Sequence, residues 1–258
     1  MSDNEYRKIF NLDDQVAIVT GASQGIGREV SLGYAAFGAD IVAVDINGDA
    51  LESLRLEVEA AGRRLLPIKA NLCIPEDRIS IVKQACDMFG KIDILANIAG
   101  VMQHKPATDI AETDWDFVMD VNLKALFFFC QTVGKEMLKQ HYGRIVNISS
   151  SFGIVGFAGR VPYAASKAGV SNLSKTLALE WSEHGININA IAPGPIATPG
   201  RVDFFAKPEV HAELMSKLPI KRIGLASDLV GPAVFLASKA SSFITGETIL
   251  VDGGWCAQ

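Results

Sequence analysis

The segment from Val16 to Phe37 limits the possible folds more than any other part of the chain. Val16-Ala17-Ile18-Val19 is a short apolar run rich in β-branched residues and reads as a buried strand. Thr20-Gly21-Ala22-Ser23-Gln24-Gly25-Ile26-Gly27 follows, and Arg28–Phe37 then reads as a helix. A strand that feeds a helix through a glycine turn gathers backbone N–H groups and the positive helix end at one point, which suits a phosphate. Glycine permits both the tight turn and close approach of the backbone to a pyrophosphate. The spacing is G-x-x-x-G-x-G rather than G-x-G-x-x-G, and glycines alone would equally serve a tight connection without a ligand.

The same alternation continues along the chain. A second strand, Asp40–Asp45, precedes a helix at 49–61, a strand at 65–69, a helix at 76–89 and a strand at 92–96. A long helix is expected over 114–139, a strand over 144–149, another long helix over 162–184 and a strand over 187–192. After an irregular stretch come a helix at 227–238 and a last strand at 248–251. This order predicts an α/β protein: a single doubly wound Rossmann domain over 1–258, with a seven-stranded parallel sheet and helices on both faces. Residues 1–11 form an N-terminal extension in this reading, and the proline-rich stretch 195–220 a substrate loop or lid. Ligands bind beyond the carboxyl ends of such strands, where Gly21, Asp45, Asn97, Ser150 and Pro193 all fall.

Asp45 closes the second strand, eighteen residues after Gly27. A carboxylate there can accept hydrogen bonds from both ribose hydroxyls of an adenosine and repels a 2′-phosphate. Ile46-Asn47-Gly48 supplies no cation, and Gln24 is uncharged, so the cofactor expected is NAD rather than NADP. Asp also ends strands simply as a turn former. Tyr163 and Lys167 stand four apart on an expected helix, hence on one face, thirteen residues after Ser150. A nearby ammonium lowers the pKa of a phenol and lets it move a proton near neutral pH.

Together these residues resemble the short-chain dehydrogenase/reductase family, from about residue 12 to 256. Thr20–Gly27 is similar to its cofactor turn, Asn97-Ile98-Ala99-Gly100 to its N-N-A-G segment, and Asn122 to its helix asparagine. Ser150, Tyr163 and Lys167 match its serine, tyrosine and lysine, Pro193-Gly194 the segment beside the nicotinamide, and Thr198 follows at the family offset. The resemblance implies catalysis by Asn122, Ser150, Tyr163 and Lys167. It implies cofactor contacts from Gly21, Ser23, Gln24, Gly25, Ile26, Gly27, Asp45, Asn71, Leu72, Asn97, Ala99 and Gly100, and from Tyr163, Lys167, Pro193, Gly194, Ile196 and Thr198. Lys167 would also hold the nicotinamide ribose, and Asn122 a water linking Lys167 to solvent. Asn71-Leu72 departs from the aspartate usual near the adenine, and Ile98 from the second asparagine. Gly159-Arg160-Val161-Pro162, Ile188–Gly194, Ser227–Pro232 and Val251–Trp255 resemble the sugar-acid branch, the 2-dehydro-3-deoxy-D-gluconate and gluconate 5-dehydrogenase type.

The function expected is therefore NAD-dependent hydride transfer between the nicotinamide and a secondary alcohol/ketone of a sugar acid or polyol. The alternatives are a 3-oxoacyl thioester reductase, a cyclic alcohol or diol dehydrogenase, and a non-catalytic dinucleotide-binding sensor or scaffold. Ser150, Tyr163, Arg160 and Arg201 are the candidate substrate contacts, with Arg160 able to hold a carboxylate in a bidentate grip; His104 and Lys105 are weaker ones. A net charge of −5 with no basic block argues against a nucleic-acid partner. Ala125–Cys130 is too short for a bilayer span, and the polar start shows no signal peptide. Cys73, Cys86, Cys130 and Cys256 form no C-x-x-C pair, so no metal is expected and the thiols read as reduced and cytoplasmic. The apolar surface of the two long helices predicts association, and the family resemblance implies a homotetramer.

Overall fold

Every apolar run expected to be a main-sheet strand enters one parallel sheet in the computed structural model of the chain, which describes residues 3–257. Met1, Ser2 and Gln258, which the 1–258 domain expectation includes, lie outside the described residues. The strands are β1 (Val16–Thr20), β2 (Asp40–Asp45), β3 (Leu65–Lys69), β4 (Ile94–Asn97), β5 (Gly143–Ile148) and β6 (Ile186–Pro193). The two-residue strands β7 (Ile196–Ala197) and β8 (Gly224–Leu225) pair only with each other, and β9 (Thr248–Val251) completes the main sheet in the order β3-β2-β1-β4-β5-β6-β9. Chain order reverses direction between β1 and β4, and such a switch point opens a crevice at the carboxyl ends.

The helices are α1 (Asp3–Lys8), α2 (Gly25–Ala36), α3 (Gly48–Ala60), α4 (Pro75–Phe89), α5 (Glu112–Met119), α6 (Ala125–Gln140), α7 (Val161–Trp181), α8 (Val202–Phe205), α9 (Pro208–Lys217) and α10 (Val230–Ala237). Strand side chains alternate between the faces. Ala17, Val19, Ile41 and Ala43 pack with Tyr34, Leu51, Leu54 and Leu236 from the helices on one side. Val16, Ile18, Val42 and Val44 pack with Ile81, Phe129, Val133, Met137 and Val170 on the other. Because both faces are covered, the strands read as near-continuous apolar runs.

Two expectations are corrected. The helix over 114–139 is interrupted by a π turn at Asp120–Lys124, between α5 and α6. The fully buried Asn122 lies in this turn, and its side chain both accepts from Val101 N and donates to Val101 O, each at 2.8 Å. A tertiary bond pair of this kind is invisible to helix periodicity. The stretch 195–220 is also more regular than expected, since it contains α8 and α9. Pro208 begins a helix instead of breaking one, because the first turn has no use for its missing N–H. Glu209 and Lys217 then sit at the ends their charges favour.

The helical run Glu112–Gln140 is long and apolar enough to cross a membrane by length and composition, unlike the six-residue stretch inside it. Its Leu126, Phe129, Cys130, Val133 and Met137 are instead core residues, which accounts for that apolarity.

Candidate active site

Thr20 stitches the switch point together. Its hydroxyl accepts from Ile98 N (2.9 Å) and Ala99 N (3.1 Å), which joins the end of β1 to the loop after β4. Gly21 and Gly25 adopt φ of +67° and +55°, the left-handed region that favours glycine. A Cβ on Gly27 would lie 2.1 Å from Gly21 O, so α2 can start this close to the strand end only with glycine there. Gln24 caps α2 with no side-chain hydrogen bond. The turn therefore fits a dinucleotide pyrophosphate: a close-packed backbone and first-turn N–H groups without a side-chain cap. Thr198 abuts this turn, with its Cγ2 3.1 Å from the Cβ position of Gly25.

Asp45 is held in place by two backbone donors, Ser23 N to Oδ2 (3.1 Å) and Asn47 N to Oδ1 (2.9 Å). Lys69 on β3 is paired in register with Asp45. Its side-chain carbons stand 3.0–3.3 Å from the Cβ position of Gly48. Paired residues in a parallel sheet point to the same face. The neighbouring strand thus brings a lysine stem against Gly48, a proximity that sequence order hides. Asn71 Oδ1 accepts from Cys73 N (3.0 Å), and Leu72 packs against the core.

Asn97 and Ile196 were expected at the cofactor, but their side chains turn into the protein. Asn97 Nδ2 donates to Asn147 Oδ1 (2.9 Å) and Cys130 Sγ (3.2 Å). Asn147 Nδ2 in turn donates to Ser174 Oγ (2.9 Å), so the group ties β4 and β5 to α6 and α7. Ile196 is buried in the core. Only the backbones of these two residues remain for a cofactor. Pro193 ends β6, and Gly194 N donates to Val251 O (3.1 Å).

Ser150, Tyr163 and Lys167 converge beside this crevice. Ser150 follows β5, its hydroxyl accepts from Phe152 N (3.1 Å), and it acts on the neighbouring Tyr163 phenol. Ser149 Oγ instead donates to Lys167 O (2.9 Å) and contacts Ser171, which leaves Ser150 as the serine at the phenol. Lys167 is buried, with Nζ donating to Ile148 O (2.7 Å) and lying 5.9 Å from the Tyr163 ring centre. Burial pulls its pKa down to about 8. The expectation that Lys167 lowers the phenol needs correction for the isolated chain. Burial raises Tyr163 above its ordinary value, and the opposing influences are the Ser150 hydrogen bond and the charges of Arg201 and Arg160. Gly100 lies against the group, its Cβ position 3.2 Å from Asn122 Oδ1 and 3.5 Å from Lys167 Nζ. The Asn122 amide also donates to Ser166 Oγ (3.2 Å), so its side chain anchors the loop after β4 to α7.

Arg160 is the N-cap residue of α7 and is buried. Arg201 lies just before α8 and reaches Met102 Sδ with Nη1 (2.9 Å). Lys105 pairs with Asp114, and His104 lies against Gly159. Lys105 is therefore already engaged by a carboxylate. Among the described residues no group of His, Cys, Asp and Glu could hold a metal ion.

The comparisons with known proteins agree with this geometry. The family model for the short chain dehydrogenase matches residues 15–209. A 2-dehydro-3-deoxy-D-gluconate 5-dehydrogenase of Dickeya dadantii (strain 3937) is 43% identical over 251 residues, 96% of this chain and 98% of the relative. A 3-oxoacyl-[acyl-carrier-protein] reductase of Thermotoga maritima is 39% identical over 245 residues, 95% of this chain and 99% of the relative. The crystal structure of a candidate 2-deoxy-D-gluconate 3-dehydrogenase from Agrobacterium tumefaciens, with bound NADP, superposes with a TM-score of 0.89. It is 36% identical and covers 97% of this chain and 99% of its own. Fold, glycine turn and matched length give one answer: the chain belongs to the short-chain dehydrogenase family, oxidoreductases that use a nicotinamide dinucleotide on CH–OH groups.

Proposed function

We propose that this oxidoreductase interconverts a secondary alcohol and a ketone on a sugar acid, with NAD as its preferred cofactor. The observation that carries the reading is the half-buried Tyr163 beside the buried Ser150, with the buried Lys167 on the next turn, at the strand ends that also carry the glycine turn. The sugar-acid identity is supported by relatives such as the Dickeya dadantii enzyme.

Gly21, Ser23–Gly27 and Asp45 would hold the dinucleotide, which supplies a two-electron hydride carrier when bound. Tyr163 handles the proton: its oxygen takes the substrate hydroxyl proton in oxidation and returns one to the carbonyl oxygen in reduction. With its pKa raised, the phenol of the isolated chain is poised as a donor. Nearby positive charge draws it toward phenolate for oxidation. The Ser150 hydroxyl accepts from Phe152 N, so its own proton is available for the oxygen on which charge develops. Lys167 would hold the nicotinamide ribose, and Asn122 a water toward solvent, as the family resemblance implies.

NAD preference rests on Asp45. The opposite preference has an observation in its favour, Lys69 in register beside Asp45, where it could face a 2′-phosphate. We further propose a homotetramer in the cytoplasm. Exposed Phe117, Phe128 and Leu179 on α5–α7, with Leu250 on β9, support the association, and four free cysteines the compartment. A stable monomer in sedimentation would overturn the tetramer.

The test is NADH and NADPH absorbance over sugar acids, polyols, cyclic alcohols and 3-oxoacyl thioesters, with Tyr163→Phe as control. Turnover of a sugar acid, lost in the control and faster with NAD, is expected. Turnover of thioesters alone, or tight NADH binding with no turnover, would refute the reading.

A further inference from the structure

Among the described residues no carboxylate pairs with Arg160 or Arg201. Arg160 is only 9% exposed, yet its Nε is enclosed without a hydrogen-bond partner, and among the described residues its guanidinium makes no ion pair. Arg201 is half-buried, and among the described residues the hydrogen bond of its side chain goes to the neutral Met102 Sδ. Its guanidinium rests 4.9 Å from the Phe205 ring centre. The loop after β4 joins their segments, since Lys105 N donates to Gly159 O (3.1 Å) and Met102 accepts from Arg201, and the charge of Arg201 disfavours that of Arg160.

The Nε atoms of Arg63 and Arg144 are also enclosed without a partner, but those guanidiniums bond through their other nitrogens, and Arg7 is exposed to water. Arg28, Arg55, Arg63, Arg64 and Arg222 each face a carboxylate. The buried Arg78 and Arg144 donate to the Leu72 carbonyl and to Asn187 Oδ1. Burying the Arg160 guanidinium without a counter-charge is unfavourable, and the positive charge of the half-buried Arg201 adds to that cost, so an anion would relieve both.

We propose that Arg160 and Arg201 form a two-point clamp for the carboxylate of the substrate. This assignment rests on the sugar-acid reading above and adds the groups that recognise the acid. Arg160 sits three residues before Tyr163 at the start of α7, after Gly159 at φ +74° and before Pro162. Its backbone is thus fixed before substrate arrives, which lowers the ordering cost of binding. Arg201 comes from the 195–220 segment and touches the loop after β4 through Met102, so the clamp joins two separate walls of the site. A guanidinium matches a carboxylate in bidentate geometry, which a lysine cannot reproduce. A neutral polyol or thioester would leave both charges uncompensated. The competing anion is the cofactor pyrophosphate, because Arg201 N donates to O of Thr198, the neighbour of the glycine turn.

The experiment compares kcat/KM for five- to seven-carbon aldonic, 3-deoxy-aldonic and keto-aldonic acids with their carboxamides, in wild type, Arg160→Gln, Arg160→Lys and Arg201→Gln. NADH dissociation constants, read by fluorescence, report both folding and the cofactor site. The acid-over-amide preference should fall about 10- to 100-fold in each Gln variant, the worth of a charge-assisted hydrogen-bond pair. Arg160→Lys should recover part of it, and NADH affinity should stay within about threefold. Equal losses on acid and amide would overturn the clamp while leaving the sugar-acid reading intact. A matching loss of NADH affinity would assign the arginines to the pyrophosphate and overturn it likewise. A wild type that turns over no acid would remove both readings.

Discussion

Lys167→Met should make the protein more stable and leave it inactive. Lys167 is 3% exposed, and burial pulls its pKa down to about 8 from the ordinary lysine value. That shift corresponds to about 3 kcal/mol of destabilisation borne by the charged form at neutral pH. Methionine has similar length and no charge to desolvate. It does lose the Nζ donation to Ile148 O (2.7 Å), which leaves a carbonyl short of a partner and offsets about 1 kcal/mol. The net expectation is a gain of about 2 kcal/mol at pH 7. The sign follows from proton binding: between the folded value near 8 and the unfolded value near ~10.4, the unfolded chain binds more protons, so wild-type stability rises with pH. Below pH ~8 both states are charged and the full penalty is present; above ~10.4 both are neutral and it is gone. Urea titrations of both proteins at steps between pH 7 and 10.5 measure this, with NADH turnover in parallel. The difference between variant and wild type should shrink through that window, which cancels the titration of every other group. A variant no more stable than wild type at pH 7, with a difference flat across the window, would falsify the desolvation argument.

Asp45→Ala should lower the NAD-over-NADP ratio of kcat/KM about 100-fold, since a carboxylate ~5 Å from a phosphate charge costs about 3 kcal/mol at an effective dielectric of ~20. An unchanged ratio would move cofactor choice to Lys69 or elsewhere. Asn147→Ala should cost about 3 kcal/mol in urea unfolding, because Asn97 Nδ2 and the Ser174 hydroxyl lose a partner in the core and a cavity opens; a loss below about 1 kcal/mol would show that the network relaxes.

The seven main strands and the crevice were legible because the central strands are buried on both faces and Gly21, Asp45, Asn97, Ser150 and Pro193 fall at or just after strand ends. What escaped was contact between elements. Lys69 lies 24 residues beyond Asp45 yet pairs with it across two strands. Thr20 had no marked role until its hydroxyl was seen to hold Ile98 and Ala99. Asn97 was expected among the cofactor contacts, but a strand-end position fixes the backbone and not the face the side chain takes; the partners Asn147 and Cys130 decide that. Proline signals misled at 195–220, where Pro208 starts a helix.

The π turn at Asp120–Lys124 has a consequence in the language of insertion and deletion. An i→i+5 turn contains one residue more than its α-helical equivalent. Deleting one residue there would let α5 and α6 close into a single regular helix while Val118 and Phe129 kept their core positions. Such a shortened chain could still fold, but Val101 would lose the side chain that pins it. The extra residue thus belongs to the site rather than to the scaffold, and length variation at this point would separate chains that retain the fold from chains that retain the chemistry.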